Sequence, residues 1–248
     1  MFLLRVILII SFLSSGLWAG QIQVGSDYPQ TTIAQGLAAS IAGDTILVHS
    51  GTYVESGLLI SHPLTLLGVD NPVIDGNHSG EIITITAKNV SIEGFILRGS
   101  GLSHLDENAA VRFEEAHGGR VSNNSFEDNF FAIYLSKSEN CLIENNLISG
   151  QAETESRSGN GIHLWYCKNI NIHGNRISGH RDGIYLEFVE QCIVSQNHSS
   201  ANLRYGLHFM FSNHNRYHNN RFDKNGAGVA VMYSRHVDMH NNVFADNW

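Results

Sequence analysis

Apolar and polar residues alternate in short bursts along most of this chain, and the bursts recur at a nearly constant interval. A Gly or Ala followed by alternating apolar positions begins at Ala132, Gly161, Gly183, Gly206 and Gly228. Between the bursts an Asn recurs at Asn124, Asn146, Asn175, Asn197, Asn220 and Asn242, in steps of 22, 29, 22, 23 and 22. The two series keep one phase. Period-2 alternation nested inside a fixed longer period predicts an all-β solenoid in which each repeat is one coil.

The alternation also sorts the residues by face. Ile133/Leu135, Ile162/Leu164, Ile184/Leu186, Leu207/Phe209 and Val229/Val231 are expected inside, because a slip of one residue would bury the intervening Tyr, His and Glu. Phe126, Ile148, Ile177, Phe222 and Phe244, two residues after the recurrent Asn, should also point inward. The Asn column itself reads as an internal ladder of stacked amides at a sharp corner. Two polar stretches break the period, at residues 99–108 and 151–160. The second accounts for the single step of 29 and should bulge from one turn by about seven residues, a usual place for contacts.

At the start of the chain Arg5 precedes an apolar run from Val6 to Phe12, followed by small residues and Leu17-Trp18-Ala19. This predicts a signal peptide over 1–19, cleaved after Ala19, and a single repeat domain over 20–248 that is exported. Ile33, Leu37 and Ile41 place one apolar face on a short helix over Thr31 to Ser40, stopped by Gly43 and suited to capping the first coil. Short β-branched strands follow at Asp44-Thr-Ile-Leu-Val, Gly51-Thr-Tyr-Val, Leu64-Thr-Leu-Leu-Gly, Val73-Ile-Asp-Gly and Ile82-Ile-Thr-Ile. This opening resembles right-handed parallel β-helix proteins of the pectin-lyase-like class, which implies that fold and says little about function.

Charge and cysteine content narrow the partners. A formal charge of -8 with 15 Lys and Arg argues against a nucleic-acid backbone. Cys141 and Cys192 occupy one repeat position two coils apart, which is about 9.6 Å at ordinary strand spacing and beyond the limit of about 7 Å for a disulfide. No such bridge is expected. Cys167 falls at a turn position otherwise filled by Ser138, Val189, Ser212 and Ser234, and reads as a small turn residue.

Candidate chemistry lies on the outward face of the strand that starts at each repeat Gly. Its first outward column is Tyr134, His163, Tyr185, His208, Ala230, and its second is Ser136, Trp165, Glu187, Met210, Met232. An aromatic column, Tyr166, Phe188, Phe211 and Tyr233, runs beside them. Such residues in consecutive coils mark either a partner surface or a face covered by the chain's own loops. His208 with Met210 and Met232 forms a soft ligand set suited to Cu(I), against the plain alternative of Met packing on a sheet. The 14 His include two pairs 22 residues apart, His214 with His236 and His218 with His240, each able to share a metal across one rung. The two pairs are roughly 13 Å apart along an extended strand and cannot form one site unless a turn folds between them. Arg181 and Arg204 also stack, which points either to an anion between them or to pairing with nearby carboxylates. Glycoside hydrolysis needs two carboxylates roughly 5 to 9.5 Å apart, whereas Glu187 and Asp182 lie about 16 Å apart along their strand.

Three runs are more specific than the fold: Arg181-Asp-Gly-Ile-Tyr-Leu-Glu, Leu203-Arg-Tyr-Gly-Leu-His-Phe-Met-Phe-Ser-Asn, and Gly226-Ala-Gly-Val-Ala-Val-Met-Tyr-Ser-Arg. They resemble the NosD family, periplasmic accessory proteins for maturation of nitrous oxide reductase. The resemblance implies work with an ABC-type permease and ATPase and a copper-carrying lipoprotein in building the copper-sulfur centre of that reductase, without catalysis by this chain. It also implies a longer protein, continuing past Trp248, so that the chain is expected to be truncated at its C-terminus. A carbohydrate-binding or polysaccharide-degrading β-helix and a purely structural interaction solenoid are the other readings.

Overall fold

The computed structural model describes residues 19–103 and 107–248. All of the expected signal segment except Ala19 lies outside the described residues. The chain forms a right-handed parallel β-helix of about 23 residues per coil, as the periodicity required. Three sheets of 10, 9 and 8 strands run along it, and every strand pairs in parallel with the equivalent strand of the next coil. Among the described residues no helix is long and apolar enough to cross a membrane.

One helix, Ile33–Ala39, seats the first coil. Thr32 caps it, accepting from the Gln35 backbone N–H while the Gln35 side chain accepts from the backbone of Thr32. Ile33 and Gly36 are buried, and Leu37 packs on the core. Ile41 departs from expectation: the helix ends before it, and it is 39% exposed. Gly36 takes its place in the contact, because a Cβ there would come within 2.6 Å of Val24 and 3.2 Å of Ile46. A further strand, Gln21–Val24, heads the first sheet and carries no repeat signature. It is tied down where it begins, since the Gly20 N–H donates to Asp44 at 2.7 Å and the Ile41 N–H donates to the other carboxylate oxygen at 2.9 Å.

The expected inward pairs fill the centre, with Ile133, Leu135, Ile162, Leu164, Ile184, Leu186, Leu207 and Phe209 inaccessible to solvent. Val231 and Phe244 differ because their strands have a neighbour on one side only. The Asn column forms the expected ladder. Each Oδ1 accepts from the backbone N–H and the Nδ2 of the Asn one coil earlier, as at Asn175 from Asn146, both 3.0 Å, and at Asn197 from Asn175, 2.9 and 3.0 Å. Each Nδ2 also reaches a carbonyl of an earlier coil, Ile143 from Asn175 and Ile172 from Asn197. A second ladder went unread in the sequence: Asn202, Asn225 and Asn247 are linked in the same way at another corner, spaced 23 and 22 residues apart.

The three cysteines are buried and free. Cys141 and Cys192 stand two rungs apart, flanking the rung of Ile170, as the register of their neighbours Leu142, Asn171 and Ile193 shows.

Candidate functional site

The outward columns fall in register on the third sheet: Tyr134, His163, Tyr185, His208 and Ala230 form one, and Ser136, Trp165, Glu187, Met210 and Met232 the other. The first column is not a solvent face. His163 is 4% exposed and His208 1%, so this column is a covered face and not an open partner surface. The cause is twofold. The rings of the column lie on one another, with centroids 4.6 Å apart for Tyr134 and His163, 4.8 Å for His163 and Tyr185, and 4.7 Å for Tyr185 and His208. The first residues of the repeat strands then cover them: Phe131 packs on Tyr134 and His163, and Tyr205 on His208. The result is a second small core of Ala109, Phe131 and Tyr134 outside the solenoid wall.

His208 is held by Asp182, a buried carboxylate at the start of the strand Asp182–Glu187. The His208 Nδ1–H donates to Asp182 Oδ2 at 3.3 Å, which leaves Nε2 as an acceptor. That nitrogen is buried and has no hydrogen-bond partner. A carboxylate on one ring nitrogen and a free lone pair on the other is the usual preparation of a metal-binding imidazole. Met210 and Met232, on the same outward face, pair in register and are half-buried. Thioether sulfurs and a neutral imidazole nitrogen are soft donors, the kind a thiophilic ion takes. Among the described residues no three His, Cys, Asp or Glu gather into a harder site.

The other histidine pairs stack instead of converging. His214 and His236 lie 4.6 Å apart with planes 11° from parallel, and His218 and His240 lie 4.8 Å apart at 6°. Two nitrogens on one ion must approach within about 4 Å with their lone pairs turned inward. Parallel rings point theirs in parallel, so each pair would have to leave its stack to share a metal. Burial, reinforced by His240, lowers the pKa of His218.

Beside the Met column the aromatic residues stack as a continuous strip: 4.6 Å from Tyr166 to Phe188, 5.1 Å to Phe211 and 4.9 Å to Tyr233. Trp165 meets Tyr166 edge-on at 4.8 Å, and its register partner Glu187 lies between it and Met210 in the column. Tyr166 is 51% exposed and Tyr233 77%. All four strip residues adopt left-handed backbone, with φ between 50 and 54°. Glu115 and Lys137 adopt it at the same corner of the two preceding coils, so it is the recurrent turn of this corner, occupied from Tyr166 onward by bulky residues at roughly 1–2 kcal/mol each. Tyr185, enclosed between two histidines, has its hydroxyl pKa pushed up to about 12 by burial and then by Glu187 and Asp182.

Arg181 and Arg204 occupy adjacent rungs but behave differently. Arg204 pairs with Asp182 at 3.4 Å and Glu155 at 3.9 Å and lies over the Tyr205 ring. Arg181 instead lines a cleft of about 810 Å³ formed with both polar insertions, among Glu107, Asn108, Phe130, Glu155, Ser158 and His163. Sequence reasoning marked the second insertion as a contact region and missed that residues of both insertions, Glu107, Asn108, Glu155 and Ser158 among them, share a cleft with His163.

The fold recurs widely. The pneumococcal surface adhesin PfbA superposes with a TM-score of 0.68 at 14% identity, covering 86% of this chain and 65% of that one. XylC in complex with xylose gives 0.66 at 12% identity, covering 92% and 70%. At such identities the likeness concerns the fold alone. Two relatives are closer in sequence, both named "Probable ABC transporter binding protein NosD". The one from Pseudomonas aeruginosa is 31% identical over 136 residues, 54% of this chain and 32% of that protein. The one from Stutzerimonas stutzeri is 30% identical over 127 residues, 50% and 29%. The match thus spans about a third of those relatives' length. A family model described as "Periplasmic copper-binding protein (NosD)" matches residues 37–156 and 147–248, and with almost every coil inside that match this chain belongs to the NosD family.

Proposed function

We propose that this chain is a periplasmic, non-catalytic copper-handling subunit that works with an ABC-type permease and ATPase. In this reading it receives Cu(I) from a copper-carrying lipoprotein and passes it on during assembly of the copper-sulfur centre of nitrous oxide reductase. The family description and the relatives' names supply the copper and transporter context. The observation that carries the reading to particular residues is the His208 lone pair, buried without a donor and braced by Asp182, beside the Met210–Met232 pair in register. His208 and the two Met side chains would hold the ion as cargo, and Asp182 would keep the His208 proton on Nδ1. The strained aromatic strip from Tyr166 to Tyr233, with Trp165, Tyr185 and Glu187 beside it, would be the docking face for the donor or acceptor protein.

The test is anaerobic Cu(I) titration against a chromophoric chelator, with the wild-type chain and a Met210→Leu/Met232→Leu variant. The wild type is expected to bind about one equivalent and the variant at least about tenfold more weakly, while Asp182→Asn weakens binding roughly 10- to 100-fold. Equal affinity in wild type and double variant would remove the site. For the carbohydrate reading, the cleft carboxylates Glu81 and Glu107 are already engaged, by Arg112 and by the Tyr134 hydroxyl.

A further inference from the structure

The cleft over the third sheet has chemistry of its own, separate from the copper donors. Arg112 on its wall is already satisfied, ion-paired with Glu81 and donating to the Glu107 carbonyl at 2.5 Å. Arg181 is different. Among the described residues no carboxylate lies within ion-pair distance of it, its neighbour Asp182 being turned to Arg204 and His208. Its Nε is buried without an acceptor. A buried, unpaired donor costs about 1–3 kcal/mol, more when charged, so a native site that keeps one is suited to an acceptor from outside.

His163 supplies a second such donor. The Asp182 N–H donates to Asn160 Oδ1 at 3.2 Å, which turns the Asn160 amide nitrogen toward His163 Nδ1 at 3.4 Å. Nδ1 is therefore the acceptor and the ring proton sits on Nε2. That N–H is buried and unpartnered. Burial, then Arg181 and Arg112, pulls the His163 pKa down to about 3, so the ring is a neutral donor at pH 7.

We propose that the cleft binds a small organic carboxylate, whose oxygens accept from the Arg181 guanidinium and the His163 Nε2–H. A planar carboxylate matches the guanidinium fork. Phe130 and Phe131, which also line the cleft, provide an apolar surface for the organic part. Glu107 and Glu155 at the same cleft oppose a multiply charged ion, which favours a monoanion over sulfate or phosphate.

The experiment is calorimetric titration of the chain with galacturonate, benzoate and inorganic sulfate at low ionic strength. At least one carboxylate is expected to bind more tightly than sulfate. Arg181→Gln and His163→Phe should each lower its affinity at least about tenfold, the loss of a hydrogen bond to a charged group. Glu155→Gln leaves it equal or tighter, and Arg181→Lys, which keeps the charge but not the fork, weakens it with circular dichroism unchanged. Absence of carboxylate binding to the wild type at millimolar concentration overturns the proposal, as does equal binding by folded Arg181→Gln or Arg181→Lys protein, or sulfate binding that outcompetes both carboxylates. Cu(I) binding by the Arg181→Gln chain is read alongside, so that the two sites stand or fall separately.

Discussion

His163 and His208 stand two rungs apart in one column, and their neighbours give them opposite roles. Asn160 turns an N–H toward one and Asp182 turns an oxygen toward the other. The same side chain thus offers a free donor in one place and a free acceptor in the other. The column position was legible in the sequence, and Asn160 lies only three residues before His163, but the direction of its amide is set by the Asp182 N–H one coil on, which donates to Asn160 Oδ1. Burial also sets a pH response. The pKa values of His163 and His180 are drawn down to about 3 and about 4, below the roughly 6.5 of an unfolded His. The folded chain therefore binds fewer protons, and this stabilisation is complete above about pH 6.5 and is lost as pH falls toward the folded values. Calorimetry should show Tm falling by roughly 8–15 °C between pH 7 and pH 5, with a shallower slope in His180→Gln. A flat Tm over that interval in the wild type would contradict the assignment.

At the scale of the coil, two corners use the same left-handed turn for different ends. Asn123, Asn145, Asn219 and Asn241 adopt positive φ immediately before the ladder residues Asn124, Asn146, Asn220 and Asn242. Asn tolerates that conformation, and the following side chain can then feed the ladder. Removing one rung strands its neighbours: Asn197→Ala leaves the Asn175 N–H and Nδ2 without their acceptor and the Ile172 carbonyl without its Nδ2 donor. Denaturant unfolding should show a loss of roughly 2–4 kcal/mol. The aromatic corner spends backbone strain on an exposed stack. Phe211→Asn relieves about 1 kcal/mol of strain and forfeits a similar stacking energy. Its stability should stay within about 1 kcal/mol of wild type, whereas, if the strip is the proposed docking face, retention of the proposed donor or transporter protein in a pull-down should fall. A large stability loss with binding intact would mark the strip as packing.

For the whole molecule the helix Ile33–Ala39 closes one end of the stack through a contact that leaves no room for a side chain at Gly36. Gly36→Val should displace the helix and cost about 1–3 kcal/mol, the usual penalty of overpacking. Hydrogen exchange should speed up first in the strands Gln21–Val24 and Thr45–Val48, which the helix packs against. Unchanged exchange there would show that the helix is dispensable to the stack.

Parallel stacking turns a sequence interval of 22 residues into one strand spacing, so whatever obeys the period could be read from the chain alone. That covers the coil, the inward faces, the Asn ladder, the register of Met210 on Met232, and the two-rung gap between Cys141 and Cys192. What lies outside the period was decided by the tertiary structure. Residues of both insertions share a cleft with His163 and Arg181, and Asp182 reaches His208 across a coil. Burial of the first column, the proton positions on its histidines and the cleft above it follow from side-chain directions and loop placement that the period does not specify.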